Sequence, residues 1–209
     1  QEQGGDGDTC FVAGTLVRLS EGSDKKIEEV KIGDILLGVD ESHNTVVKFD
    51  HHPLNGRNLI GINGSGPFKT PEHPLMTKEG WKAYNSQDTI EQKPQIAHLM
   101  VNGNLEVGDE IKDINGNWVL VESLEVFENE EEQLVYNFCL DGNNTYYADG
   151  LLAHNRDPLS QSFTVGGGPR GNDDGRFITS IDVFFSAKDA TLPCQVEIRN
   201  MINGYPGRK

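Results

Sequence analysis

The stretch Val135 to Asn155, VYNFCLDGNNTYYADGLLAHN, carries the fold in miniature. Gln133 to Leu140 and Thr145 to Leu152 are short runs with β-branched and aromatic content. Asp141-Gly142 and Asp149-Gly150 are hairpin-turn pairs, because a type I′ turn needs positive φ at both central positions. The same grammar extends outward through Asn55-Gly56, Asn63-Gly64, Asn102-Gly103 and Asn115-Gly116. Between the pairs lie the strand-like runs Thr15 to Leu19, Asp34 to Gly38, Asn44 to Phe49 and Trp118 to Phe127. No segment holds an apolar stripe of helical period over three turns. Short helices are expected only at Lys26 to Val30 and within Asn85 to Glu91. The pattern predicts an all-β fold of short strands.

Composition sets the outer limits. The chain has 209 residues, 35% hydrophobic and 24% charged, which suits a soluble globular protein of one or two modest domains. No run approaches the length of a membrane span. The first nine residues, Gln1 to Thr9, are acidic and Gly-rich and do not read as a signal peptide. A net charge of −15 argues against nucleic-acid binding driven by counterion release. Cys10, Cys139 and Cys194 are too few and too widely spaced for a disulfide framework or a four-ligand zinc site, so a reducing compartment is expected.

Charge also marks a boundary. From Arg156 to Lys209 there are 7 basic and 6 acidic residues, a net of +1, so the first 155 residues carry −16 and all six histidines. The Gly-rich stretch Gly166 to Gly171 precedes two alternating segments, Arg176 to Ser186 and Gln195 to Ile202. This tail is expected to be the start of a larger β domain, because so few strands make a thin core.

Three places hold candidate chemistry. Cys10 stands directly before a strand-like run, where it is either a small buried hydrophobe or a positioned nucleophile. Thr70-Pro71-Glu72-His73-Pro74 holds a histidine that is either an ordinary surface or core residue or a catalyst. His154-Asn155 closes the last alternating run, where an Asn is ordinarily a turn residue. Other candidates fall short. Asp113-x-Asn115-x-Asn117 begins like a calcium loop, but Trp118 and Leu124 occupy the positions that need Gly and Glu. His51-His52 sit on opposite faces if they lie on a strand, so they do not read as a metal site. Gly166 to Gly171 lacks the helix and Lys-Ser/Thr of a phosphate loop.

Taken together and in order, these residues resemble a known family. Cys10 to Thr15 with Ile32-Gly33-Asp34 is similar to the opening block of inteins, members of the Hedgehog/intein (Hint) superfamily. Thr70-x-x-His73 is similar to the second block, and Val135 to Asn155 to the two closing blocks. The resemblance spans Cys10 to Asn155 and leaves no room for a homing endonuclease; Asn85 to Asp109 is expected to be a polar connection. It implies a horseshoe-shaped, pseudo-two-fold Hint domain between an N-terminal flank, residues 1–9, and a C-terminal flank, residues 156–209. The flank after Asn155 resembles, through Asp157 to Phe163 and Phe177 to Gly207, a structural protein of tailed phages, implying a partial β-sandwich-like segment. Partners would then be the chain's own flanks and other virion chains. Processing would take place in a bacterial cytoplasm, with no cofactor, metal, membrane or nucleic acid.

The resemblance also implies roles. Cys10 sulfur would attack the Thr9 carbonyl, an N–S acyl shift giving a thioester. His73 would protonate the leaving amine, with Thr70 holding the bond or the ring. Asn155 would cyclise to a succinimide and release Arg156, with His154 polarising the carbonyl. Three residues depart from the family pattern. Arg156 is no acyl acceptor, and the nearest hydroxyl is Ser160. Asn137 stands where an acid is frequent, and Asn144 where a His is. Neither amide relays protons. Self-cleavage of the two junctions is therefore favoured over splicing by aminolysis, and an inert insertion is the third reading.

Overall fold

In the computed structural model the described residues are 9–92, 100, 103–128 and 132–155, with the short strands Met201–Ile202 and Tyr205–Pro206 beyond them. The chain divides into two units, Gln1–Leu159 and Ser160–Lys209. In chain order the strands of the first are Phe11–Val12 (β1), Leu16–Arg18 (β2), Asp24–Lys26 (β3), Ile35–Leu37 (β4), His43–Pro53 (β5), Leu59–Ile62 (β6) and Leu75–Thr77 (β7). There follow Gly80–Lys82 (β8), the single α-helix among the described residues, Ser86–Gln92 (α1), and Glu110–Lys112 (β9). Trp118–Leu120 (β10), Leu124–Phe127 (β11), Leu134–Asp141 (β12), Thr145–Ala148 (β13) and Leu151–His154 (β14) complete it. In the second unit, Met201–Ile202 (β15) pairs antiparallel with Tyr205–Pro206 (β16).

The all-β expectation holds. One sheet runs β1-β12-β5-β4, and a larger one runs β10-β9-β7-β14-β13-β2-β3 with β8 paired to β7. β6 and β11 form a separate antiparallel pair. Phe11, Val46 and Phe138 from the first sheet pack with Val17, Leu75 and Tyr146 from the second, all essentially solvent-free. Each such side chain contributes about 1.5–3 kcal/mol by leaving water, which is what lets strands of three or four residues persist.

The expected runs are strands with adjusted ends. Thr145 to Leu152 is two strands, because Asp149 and Gly150 take φ of 45° and 77° and fold β13 back on β14. Trp118 to Phe127 likewise splits, with β10 on β9 and β11 on β6. At Asp141-Gly142 and Asn115-Gly116 only the glycine has positive φ, so those turns are not type I′. Lys26 to Val30 holds only a 3₁₀ turn, Ile27–Glu29. The polar connection after Asn85 includes α1, anchored where Asn104 Oδ1 accepts from Ser86 N–H and Leu105 N–H donates to the Ala83 carbonyl. Of the tail expectations, Arg176 to Ser186 and most of Gln195 to Ile202 lie outside the described residues.

Candidate functional site

Residues 70–74 lie between the two junctions and touch both. Thr70 N–H donates to the Cys10 carbonyl at 3.0 Å, and Cys10 N–H donates to Thr70 Oγ1 at 3.0 Å. The Cys10 peptide is thus gripped on two sides, and Thr9 and Cys10 have no exposed surface. At the other end of the segment, His154 N–H donates to the Pro74 carbonyl at 3.3 Å, and Leu75 pairs with Ala153 across β7 and β14.

Local chemistry explains why this segment holds its shape. His73 N–H donates to the Thr70 carbonyl at 3.1 Å, closing a β-turn with Pro71 at its second position, where the ring presets φ. Three outside contacts secure the turn. Thr89 Oγ1 of α1 donates to the Glu72 carbonyl at 2.7 Å, Asn85 N–H donates to the Pro71 carbonyl at 3.0 Å, and Arg57 pairs with Glu72 at 2.8 Å. The Glu72 side chain is 4% exposed, so this is a largely buried ion pair that ties the turn to residue 57.

The His73 ring packs against Phe11, with centroids 4.2 Å apart, and its Nε2 lies 3.3 Å from the Tyr146 hydroxyl. Tyr146 is fully buried on β13. Burial, and secondarily the neighbouring Cys10, push its hydroxyl well above the ordinary tyrosine value, so it keeps its proton at neutral pH. Lys69, immediately before the turn, is also solvent-free; its Nζ donates to the His73 carbonyl at 2.9 Å. Burial lowers its pKa to about 7, with Glu72 opposing the shift.

At the C-terminal junction, His154 Nδ1 lies 2.6 Å from the Asn155 carbonyl oxygen, and Asn155 N–H donates to the Asn144 carbonyl at 2.7 Å. The His154 ring meets Trp81 edge-on at 5.0 Å. Asn144 has φ of 57°, within a loop fastened by Asn44, whose Nδ2 donates to Asn143 Oδ1 and to the Thr145 carbonyl. A Cβ on Gly142 would run into Asn44 Oδ1, so the approach of this loop needs a glycine. Asn137 lies on β12 opposite Asp50, and its Oδ1 accepts from Phe138 N–H at 2.8 Å. Continued by one residue, the β1–β12 register sets Asn137 across from Cys10.

Of the sequence-derived residues, the fold brings Thr9, Cys10, Thr70 and His73 into one cluster. It sets His154, Asn155 and Asn144 in a second cluster joined to the first through residues 70–74. Arg156 lies outside the described residues. Sequence reasoning missed Tyr146, Lys69 and the Arg57–Glu72 pair, which carry no local motif. It weighed His52 only as a metal ligand, yet His52 Nε2 lies 3.5 Å from Cys10 Sγ. Among the described residues no group of three or more His, Cys, Asp or Glu is arranged to hold a metal ion. The Asp113 carboxylate instead accepts from Asn115 and Asn117 N–H in the β9–β10 turn.

The fold of the first unit has counterparts among known structures. The chain is similar to a bacterial intein-like domain from Clostridium thermocellum, with 27% identity and a TM-score of 0.53 over 70% of this chain and 98% of that one. The gp41-1 intein shares 18% identity and a TM-score of 0.52, again over 70% of this chain and 98% of that one. By sequence, 64 residues are 36% identical to the Tiggy-winkle hedgehog protein of Danio rerio, covering 28% of this chain. The match spans only 15% of that protein's length. No sequence profile of a known protein family matches the chain. The first unit therefore has the Hint fold of inteins and bacterial intein-like domains, as the sequence resemblance implied.

Proposed function

We propose that residues 10–155 are a single-turnover, self-processing domain whose substrates are the two peptide bonds that flank it. The observation that carries this is the single turn, residues 70–74, hydrogen-bonded to Cys10 at one junction and to His154 at the other. Autoprocessing also accords with the intein and intein-like neighbours.

At the N-terminal junction the Cys10 thiolate attacks the Thr9 carbonyl carbon. A C–S bond forms, the Thr9–Cys10 C–N bond breaks, and the Cys10 nitrogen leaves as an amine once protonated. Thr70 holds that nitrogen in place from the outset, which lowers the entropic part of the barrier. His73, set against Phe11 and Tyr146, supplies the proton. At the C-terminal junction Asn155 Nδ2 attacks its own carbonyl carbon, closing a succinimide and expelling the amine of Arg156. The His154 Nδ1–H bond to that carbonyl oxygen favours the developing negative charge. Because Arg156 offers no hydroxyl or thiol, the thioester has no acyl acceptor there, and hydrolysis or external thiol releases the N-terminal flank. The products are separate fragments more than a ligated chain. Residues 156–209 are read as the downstream part of a host structural protein that the domain interrupts.

The test is incubation of the purified chain with and without dithiothreitol, with products weighed by mass spectrometry. A thiol adduct ending at Thr9 and a fragment ending in a succinimide at 155 are expected. Cys10→Ala should abolish the first product, and Asn155→Ala the second. If neither change alters the fragments, the reading is wrong.

A further inference from the structure

The self-processing reading leaves one step unassigned, which is how the buried thiol of Cys10 loses its proton. The sulfur packs among Leu54, Leu59 and Val135, surroundings that disfavour a thiolate unless a partner takes the proton. Its register neighbour Asn137 is an amide and accepts no proton. Tyr146, whose hydroxyl faces His73, is held in its protonated form by burial.

The geometry points to His52 as the base that takes the Cys10 Sγ proton. This rests on the self-processing reading for its purpose, but the contact stands by itself. His52 lies near the end of β5, half-buried, with Nε2 3.5 Å from Cys10 Sγ. Its other nitrogen, Nδ1, lies 3.2 Å from the Pro53 carbonyl oxygen. A carbonyl only accepts, so Nδ1 carries the hydrogen, and in the neutral ring Nε2 presents its lone pair to the sulfur. The same contact orients the ring, as a carbonyl partner does for a catalytic imidazole.

Strand alternation separates the two adjacent histidines. His51 faces the other way, stacked on Tyr136 with centroids 6.1 Å apart and close to Phe49. Of the titratable groups, His52 from β5 lies in contact with the sulfur and Tyr146 from β13 is coupled to Cys10 electrostatically; Asp50 lies two residues from His52 along β5 and is engaged by Lys48.

The step balances without a co-reactant. The proton passes from Sγ to Nε2, giving a thiolate and an imidazolium held by Pro53. The thiolate then forms the C–S bond to Thr9 as the C–N bond breaks. The amine takes its proton from the His73 imidazolium, which solvent recharges as His52 returns its own proton.

The experiment uses the full chain carrying Cys139→Ser and Cys194→Ser, so that Cys10 is the one thiol. Thiolate absorbance at 240 nm is followed against pH, with the Cys10→Ser protein as blank, and dithiothreitol-induced release of the N-terminal flank is timed in parallel. His52→Gln should move thiolate formation to higher pH by about one unit or more. It should also slow release by roughly 10²–10⁴-fold, the range for loss of a general base. His51→Gln should change neither. An unaltered titration or an unaltered release rate in His52→Gln overturns the assignment. Should His52→Gln lose its fold, His52→Ala with added imidazole decides: recovered thiolate at neutral pH supports the assignment, and no recovery sinks it. If no variant releases the flank, not even the parent, self-processing fails as a reading. The thiolate titration then still decides the His52–Cys10 proton transfer.

Discussion

His154 Nδ1 lies 2.6 Å from the carbonyl oxygen of its own neighbour, Asn155, and because that oxygen only accepts, the ring nitrogen is the donor. Trp81 fixes the ring edge-on and the Pro74 carbonyl fixes the backbone. A donor aimed beforehand at an oxygen that gains charge during reaction is worth about 10²–10³-fold in rate. His154→Ala should therefore slow scission after Asn155 by about that factor and leave thiol-induced release at Cys10 intact. Timed mass spectra of both junctions check this; equal loss at both would mean the substitution damages the fold instead.

Thr70 is the contact that grips the Cys10 amide. Thr70→Val keeps the shape but removes the acceptor for a buried N–H, a loss of about 1–3 kcal/mol. Urea unfolding should show a lower midpoint, and release at Thr9 should slow. Thr70→Ser, which keeps the hydroxyl, should retain most of both. If Thr70→Val processes as fast as the parent, the grip is structural only.

Lys69 makes a stability prediction with a definite sign. Its folded pKa of about 7 lies below the ordinary 10.5, because burial disfavours the ammonium. Below pH 7 both folded and unfolded chains hold the proton, and the cost of the buried charge is present in full. Between 7 and 10.5 the unfolded chain binds more proton, so stability climbs with pH, by up to about 1.4 kcal/mol per unit. Lys69→Met should flatten that climb and gain stability relative to the parent chiefly below pH 7. Denaturant midpoints across the range decide it, and parallel profiles for the two proteins would refute it.

Asn144 occupies a left-handed conformation that His also tolerates, and its carbonyl accepts from Asn155 N–H. Asn144→His places a proton carrier beside the C-terminal junction and should hasten cleavage after Asn155. Combined with Arg156→Cys, which adds an acyl acceptor, it should yield a ligated chain of residues 1–9 and 156–209. A ligated mass absent from both variants, with no faster cleavage, would favour an inert insertion.

The local code of this sequence determined a great deal. Alternation and Asn/Asp-Gly pairs are properties of neighbouring residues, so the all-β class was legible. So were the approximate strands and the turn at Asp149-Gly150. The grouping of Cys10 with Thr70 and His73, and of His154 with Asn155, was legible too, because motif order at the two ends of a segment survives in one dimension. Short apolar strands such as Leu59–Ile62 and Leu75–Thr77 were not marked out, since three or four residues hold a strand only when a partner buries them. His52 shows the same limit at the site. Its relation to Cys10 spans 42 residues and exists only because β12 lies between β1 and β5. Tyr146 and Lys69 lie at the candidate site by burial, and burial is decided by the packing of two sheets. Residue type and local order specified which reactive groups this chain carries. Sheet pairing decided which groups meet and how water is kept from them, because proximity and desolvation arise only when distant segments share one core.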